Sequence, residues 1–304
     1  MTSMHAAAER PMAERLALCN EVLAPMGWAD QCAYASRLGY RGLEVAPYTL
    51  AEDPSTITDA QAREWARIAA DQGLAVSGLH WLLVAPKGLS ISSPDAAVRA
   101  RTLGVMNRLI ELCAQMGGSY LVHGSPAQRN PQPGQDRADA LARATEAWVQ
   151  AGELAARLGV AYCIEPLSRD QTSVVNTWAE AIAIVEAANL PALKTMLDTC
   201  SAGATETEPL PSMIDRWWPS GHLAHVQLND RNRRGPGQGN DRFAGVLAAL
   251  ARQGYGGWLA MEPFEYVPDG RGCAAWAIGY VRGLLDSYVS NRTAPPSPQP
   301  YPGT

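Results

Sequence analysis

The 304-residue chain has no CxxC pair, no apolar run of membrane-spanning length, and no basic cluster longer than RNRR at Arg231–Arg234. Each absence removes a class of function. Without a longer Lys/Arg surface there is nothing to track a phosphate backbone, so no nucleic-acid partner is expected. Without about 20 consecutive apolar residues no membrane-spanning helix is expected. The first residues, MTSMHAAAERPMAER, lack the apolar core of a secretion signal, so cytoplasmic residence is the expectation. The six cysteines are scattered, several of them inside apolar patterns, and read as reduced, buried thiols. With 25 basic and 30 acidic residues the balance is −5, and an apolar fraction of 47% is ample for one large core.

What is present is an alternation. Eight apolar runs bounded by Gly, Pro and Asp occupy residues 15–21, 42–47, 74–83, 119–125, 160–166, 193–199, 223–230 and 257–264. Helix-period segments such as DAQAREWARIAADQG separate them, several stopping at a glycine: Gly39, Gly73, Gly159 and Gly254. Strands that alternate strictly with helices form a parallel sheet, and eight such units close into a barrel. The expected fold is therefore α/β, a single (β/α)8 TIM barrel over residues 15–291. A flexible segment is expected over 1–14, and the Pro-rich residues 292–304 read as a disordered tail.

Four oxygen-bearing side chains end the last four runs: Glu165 in AYCIEP, Asp198 in LKTMLDT, Gln227 in LAHVQLND and Glu262 in GWLAMEP. Singly, a glutamate before proline can simply form an ion pair at a strand end. Together the four fall at the C-terminal ends of barrel strands, where barrel active sites lie. Three carboxylates at one mouth repel, and a divalent cation relieves the repulsion. A carboxamide ligand suits a hard ion, so one Mn²⁺ or Mg²⁺ is expected, held by Glu165, Asp198, Gln227 and Glu262.

Further candidates surround this set. The run NDRNRRGPGQGND supplies Gly235, Gly237 and Gly239 for a tight loop over the mouth, from which Arg233 reaches a substrate oxygen. A solvated surface turn is the plainer alternative. His80 and His123 end the third and fourth runs and are candidates for sugar-hydroxyl contacts, with buried structural histidines as the alternative. Trp81 and the following VAPKGLSISSPD suggest an aromatic platform under a lid, or a core tryptophan. His225 shares the pleat face of Gln227 and is placed beneath it. Glu21 and Glu44 are read as structural or substrate-orienting.

These motifs, Glu165-Pro166, the LDT of Leu197–Thr199, HVQLND, NRRGPGQG and GWLAMEPF, resemble the sugar phosphate isomerase/epimerase superfamily of xylose-isomerase-like barrels, including ketose 3-epimerases and hydroxypyruvate-isomerase-like proteins. The resemblance covers roughly residues 15–290 and implies a metal-dependent enzyme acting on a small carbohydrate, with a homo-oligomer as an option. It implies that Glu165 and Glu262 are both metal ligands and the two opposed acid/bases, that Asp198 is a third ligand, and that Arg233 holds substrate oxygens. The epimerases carry histidine at the fourth ligand position, where this chain has Gln227, as hydroxypyruvate-isomerase-like members do. They also place a histidine where this chain has Ser201, and a glutamate where it has Gln171. The expected reaction is isomerisation or epimerisation through a cis-enediolate. A metal-dependent lyase, eliminating water, carbon dioxide or an aglycone, is the alternative that Ser201 favours. A DNA-repair barrel is disfavoured by the small number of histidines, and a non-catalytic sugar-binding barrel by the paired glutamates.

Overall fold

The structure is a computed structural model that describes residues 11–293. Eight strands, β1 (Leu16–Cys19), β2 (Gly42–Val45), β3 (Ala75–Leu79), β4 (Tyr120–His123), β5 (Ala161–Ile164), β6 (Leu193–Asp198), β7 (Leu223–Leu228) and β8 (Leu259–Met261), pair in parallel and in chain order into a closed barrel. The closing pair sets Leu16 against Leu259 and Leu18 against Met261. All eight expected runs contain a strand, each shorter than the run at one or both ends.

Between the strands lie α1 (Trp28–Leu38), α2 (Asp59–Asp71), α3 (Ala96–Gln115), α4 (Pro126–Arg129), α5 (Arg137–Leu158), α6 (Trp178–Ala188), α7 (Thr199–Thr205), α8 (Leu210–Trp217) and α9 (Phe243–Arg252), with α10 (Gly270–Thr293) after β8. Local chemistry starts and stops them. Thr58 with Gln61, and Thr177 with Glu180, form reciprocal capping boxes at α2 and α6. The four glycines expected as helix stops all adopt positive φ, between 68° and 95°. Of the terminal segments, Met12–Glu14 form one 3₁₀ turn and α10 runs to Thr293; residues 1–10 and 294–304 lie outside the described residues. No helix among the described residues is long and apolar enough to cross a membrane.

The barrel interior is stratified. Tyr120, Val122, Cys163 and Met196 form a buried cluster of their own, flanked by Ala161, Ala224 and Trp258. The same alternation carries the chain from Cys163 to Glu165, from Met196 to Asp198, from His225 to Gln227 and from Ala260 to Glu262. Apolar side chains thus seal the lower barrel, and polar ones face its mouth.

Candidate active site

The lowest polar layer is organised by Glu44 on β2, which is wholly buried. An unpaired carboxylate there would cost several kcal/mol, and the chain surrounds it with donors. Tyr120 Oη donates to Oε2 at 2.6 Å and Gln227 Nε2 to Oε1 at 2.6 Å. His225 Nε2 lies 2.8 Å from Oε2, and the His225 ring stacks on Tyr120 with centroids 3.7 Å apart. Burial pushes the Glu44 carboxyl up, but His225 and His80 outweigh it and hold the group at about 2. Glu44 is therefore an anion throughout the neutral range, and His225 lies beneath Gln227, where the sequence placed it.

Above Glu44, His80 is buried between two more carboxylates. Nδ1 is 2.9 Å from Glu262 Oε1 and Nε2 is 3.0 Å from Glu21 Oε2. Burial opposes charge on the ring, but Cys19, Glu21 and Glu44 together raise it well above the ordinary imidazole value. Both ring nitrogens lie within hydrogen-bond distance of a carboxyl group, which tethers the ring between Glu262 and Glu21. Cys19, Glu21, His80 and Glu262 bring one donor atom each within 4.8 Å of one another, a grouping with the composition of an ion site. Within that group the His80 ring links the carboxyl groups of Glu21 and Glu262.

The mouth layer holds the four candidate ligands. Asp198 ends β6 and is the register partner of Gln227 on β7; Glu165 and Glu262 directly follow β5 and β8. One oxygen on each of three of them, Asp198 Oδ2, Gln227 Oε1 and Glu262 Oε2, is buried without a hydrogen-bond partner. Buried polar atoms are almost always satisfied, so three orphaned oxygens on neighbouring strands fit a cation. The acidities agree. Burial raises Glu165 well above the carboxylate range, reinforced by Glu262 and Asp198 and opposed by Arg129 and His80. Burial lifts Glu262 to about 8 against the pull of His80, and lifts Asp198 to about 6 against the bonds it accepts from Ser201 and Asn229.

A cavity of about 100 Å³ opens over this layer, with Glu165 and Glu262 in its floor. His80, Trp81, Ser201, Gln171 and Arg233 also line it. Trp81 has φ 51° and meets Phe264 edge-on at 6.1 Å. The Arg233 guanidinium lies over the Phe264 ring at 5.0 Å, and the Arg233 carbonyl accepts from the backbone N–H of Phe264 and Glu265. The loop after β7 is thereby tied to the segment after β8, with an arginine and two aromatics on one wall.

His123 departs from expectation. It is wholly buried and faces the helix layer, edge-on to Trp148 of α5 at 5.7 Å and 2.7 Å from the Tyr162 hydroxyl. Burial and the nearby Arg129 charge lower it to about 3, so it is neutral. The reason is parity: on β4 the inward residues are Tyr120 and Val122, which turns His123 outward.

Sequence reasoning did not single out Arg129 and Asn229. Arg129, at the end of α4, is wholly buried and donates Nη1 to the Glu165 carbonyl at 2.8 Å. Asn229 donates Nδ2 to the Glu262 carbonyl at 3.0 Å and accepts from Cys200 N at the start of α7. Each braces the backbone of a mouth glutamate. Arg129 sits among ordinary loop residues with no local signal, whereas Asn229 lies inside the HVQLND motif.

Over residues 32–282 the chain matches the family described as xylose isomerase-like TIM barrel. It is 31% identical over 236 residues to a D-psicose 3-epimerase of Agrobacterium fabrum, covering 75% of this chain and 76% of that protein. It is 31% identical over 234 residues to a D-psicose 3-epimerase of Enterocloster bolteae, covering 75% and 74%. A solved L-ribulose 3-epimerase structure superposes with a TM-score of 0.78 at 23% identity, over 93% of this chain and 99% of that one. With the fold, the family match and two relatives at this level in agreement, the chain belongs to the xylose isomerase-like TIM barrel family.

Proposed function

We propose that the chain is a divalent-metal-dependent isomerase or epimerase of a small sugar or keto sugar. The observation that carries the reading is the trio of orphaned oxygens on Asp198, Gln227 and Glu262 beside the two glutamates in the cavity floor. The ketose 3-epimerases among its relatives support the carbohydrate substrate. Glu165, Asp198, Gln227 and Glu262 would hold one Mn²⁺ or Mg²⁺, oxygen donors being what such ions prefer. When bound, the ion supplies polarisation of a substrate carbonyl, which acidifies the neighbouring C–H.

The remaining work falls to the chain. Glu165 or Glu262 takes the proton from carbon, giving a cis-enediolate, and the other glutamate returns a proton to a different face or carbon. His80 Nδ1 lies 2.9 Å from Glu262 Oε1 and would fix how that carboxyl group is turned. Arg233 and Trp81 orient the sugar from above, and the apolar layer under Glu44 closes the lower barrel.

A second reading rests on two residues in the cavity wall. Ser201 and Gln171 stand where the resembled epimerases carry histidine and glutamate, and the serine in place of that histidine favours a lyase that expels a leaving group from the same enediolate. Reaction in D₂O decides between the two. An isomerase or epimerase leaves deuterium on carbon in a product of unchanged elemental composition. A product lighter by a leaving group would replace the first reading with the second.

A further inference from the structure

The loop after β5 supplies Leu167, Ser168, Asp170 and Gln171 to the cavity wall. Its backbone is strained. Val175, a β-branched residue only 1% exposed, has φ 60°. Such a residue stays in the left-handed region only where its surroundings over-determine it. Part of that restraint is internal: Asn176 Nδ2 donates to the carbonyls of Leu167 and Thr172 at 2.8 and 2.9 Å, and the Leu167 N–H donates to the Val175 carbonyl at 3.2 Å. These bonds close the loop on itself but do not fix where it stands against the barrel mouth.

Asn130, directly after α4, supplies that reference. Its Nδ2 donates to the Gln171 carbonyl at 3.1 Å, and its Oδ1 accepts from the Thr172 hydroxyl at 2.7 Å and the Ser173 N–H at 3.2 Å. The carbonyl demands a donor and the N–H an acceptor, so the amide is locked in one orientation. Asn130 is itself anchored on both sides. Its N–H donates to the Pro126 carbonyl at 3.1 Å, and its carbonyl accepts from Oγ of the wholly buried Ser92 at 2.8 Å. The preceding Arg129 grips the other end of the same loop, at the Glu165 carbonyl. Two consecutive residues thus divide the loop between them, one behind a metal-ligand candidate and one behind Gln171.

We propose that Asn130 is a positioning residue for sugar recognition: it holds Gln171 and the wall around it against the substrate and leaves the metal ligands alone. The proposal rests on the isomerase/epimerase reading of the cavity. Asn130 is not itself part of the cavity lining, so its effect on the sugar passes through the loop.

A double-mutant cycle read by calorimetry on the Mn²⁺-loaded protein, with D-fructose and D-xylulose, tests it. Gln171→Ala should weaken sugar binding about three- to tenfold, the scale of one neutral hydrogen bond. Asn130→Ala should weaken it about as much, with Mn²⁺ affinity within about threefold of wild type. The double variant should lose no more than either single one, because both substitutions remove the same contact. A role in folding alone would lower Tm and leave the sugar affinity of the folded protein unchanged. Should the alanine variant not fold, Asn130→Asp takes its place in the cycle, since it keeps the acceptor for Thr172 and Ser173 and loses the donor to Gln171. Wild-type sugar affinity in a folded Asn130 variant, losses that add in the double variant, a larger fall in Mn²⁺ affinity, or no binding of either sugar to the wild type would overturn the proposal. Binding needs no turnover, so failure of the isomerase/epimerase reading shows separately, as a bound sugar that gains no deuterium on carbon.

Discussion

Gln227 and Glu44 fix each other. A carboxylate held at about 2 accepts only from a donor, so the Gln227 amide must turn Nε2 down to Glu44, 2.6 Å away, and its oxygen up toward the mouth. The orphaned Oε1 of Gln227 is thus aimed by a charge below it rather than by the ion expected above it.

That coupling gives the first prediction. Glu44→Gln removes the demand for a donor and lets the Gln227 amide turn over. Mn²⁺ affinity should fall about 10- to 100-fold, the usual effect of losing a group that orients a ligand. Calorimetric titration of EDTA-treated protein measures it, and unchanged affinity in a folded variant would contradict the arrangement.

The ligand set itself is open to the same titration. Asp198→Ala and Gln227→Ala should each weaken Mn²⁺ binding by tenfold or more. Cys19→Ser, which alters the other grouping of donors, should leave it within about threefold. The reverse pattern would move the ion to the cluster of Cys19, Glu21, His80 and Glu262.

Gly124 tests the placement of Glu165. A Cβ added at Gly124 would run into Glu165 Oε2, the movable end of a side chain rather than backbone. Gly124→Ala should therefore leave Tm nearly unchanged while lowering kcat about 100-fold, the scale of a misplacement near 1 Å. Wild-type turnover would mean that Glu165 is not held in this pose.

Arg233→Ala should raise KM with little change in Tm, because the guanidinium lies over Phe264 at the cavity wall and makes no ion pair among the described residues. A large loss of stability with normal kinetics would assign Arg233 to folding instead.

The raised carboxyls set a pH dependence whose sign is fixed. Glu262, at about 8 when folded against 4.5 ordinarily, binds more protons in the folded state between those values. Its contribution to stability is full below about pH 4.5 and is lost as pH rises toward 8; Asp198 does the same between 3.8 and about 6. Glu44 acts oppositely, its contribution lost as pH falls from 4.5 toward 2. Metal-free protein should accordingly lose Tm between pH 5 and 8, Mn²⁺ should restore it, and binding at pH 6.5 should release protons. Calorimetry in two buffers of different ionisation enthalpy reports that release, and its absence would count against these acidities.

The barrel and the mouth set were legible because both rest on short-range regularities. The alternation of strand and helix is local, and a polar residue at or next to the C-terminal end of each of β5 to β8 marks where the apolar run ends. What could not be read depends on parity and on contacts between distant strands. The faces of a barrel strand are both apolar, so nothing in YLVH says that Tyr120 rather than His123 points inward. His80 was legible as a polar strand end. Its role as a bridge between Glu21 and Glu262 joins residues 59 and 182 positions apart, which no local pattern encodes. Arg129 is the extreme case, a buried cation that donates to the carbonyl of Glu165, 36 residues along the chain.

The four ligand candidates ride on strands or on the residue directly after a strand, whereas Trp81, Gln171, Arg233 and Phe264 ride on loops. Frame and loops can therefore be altered on separate schedules. Loop grafts between members of this barrel should exchange one sugar for another while proton transfer at carbon survives. Changes to the strand ends should abolish turnover for every sugar alike. The fold behaves as a socket with interchangeable adaptors, and new specificity is most readily sought on the rim.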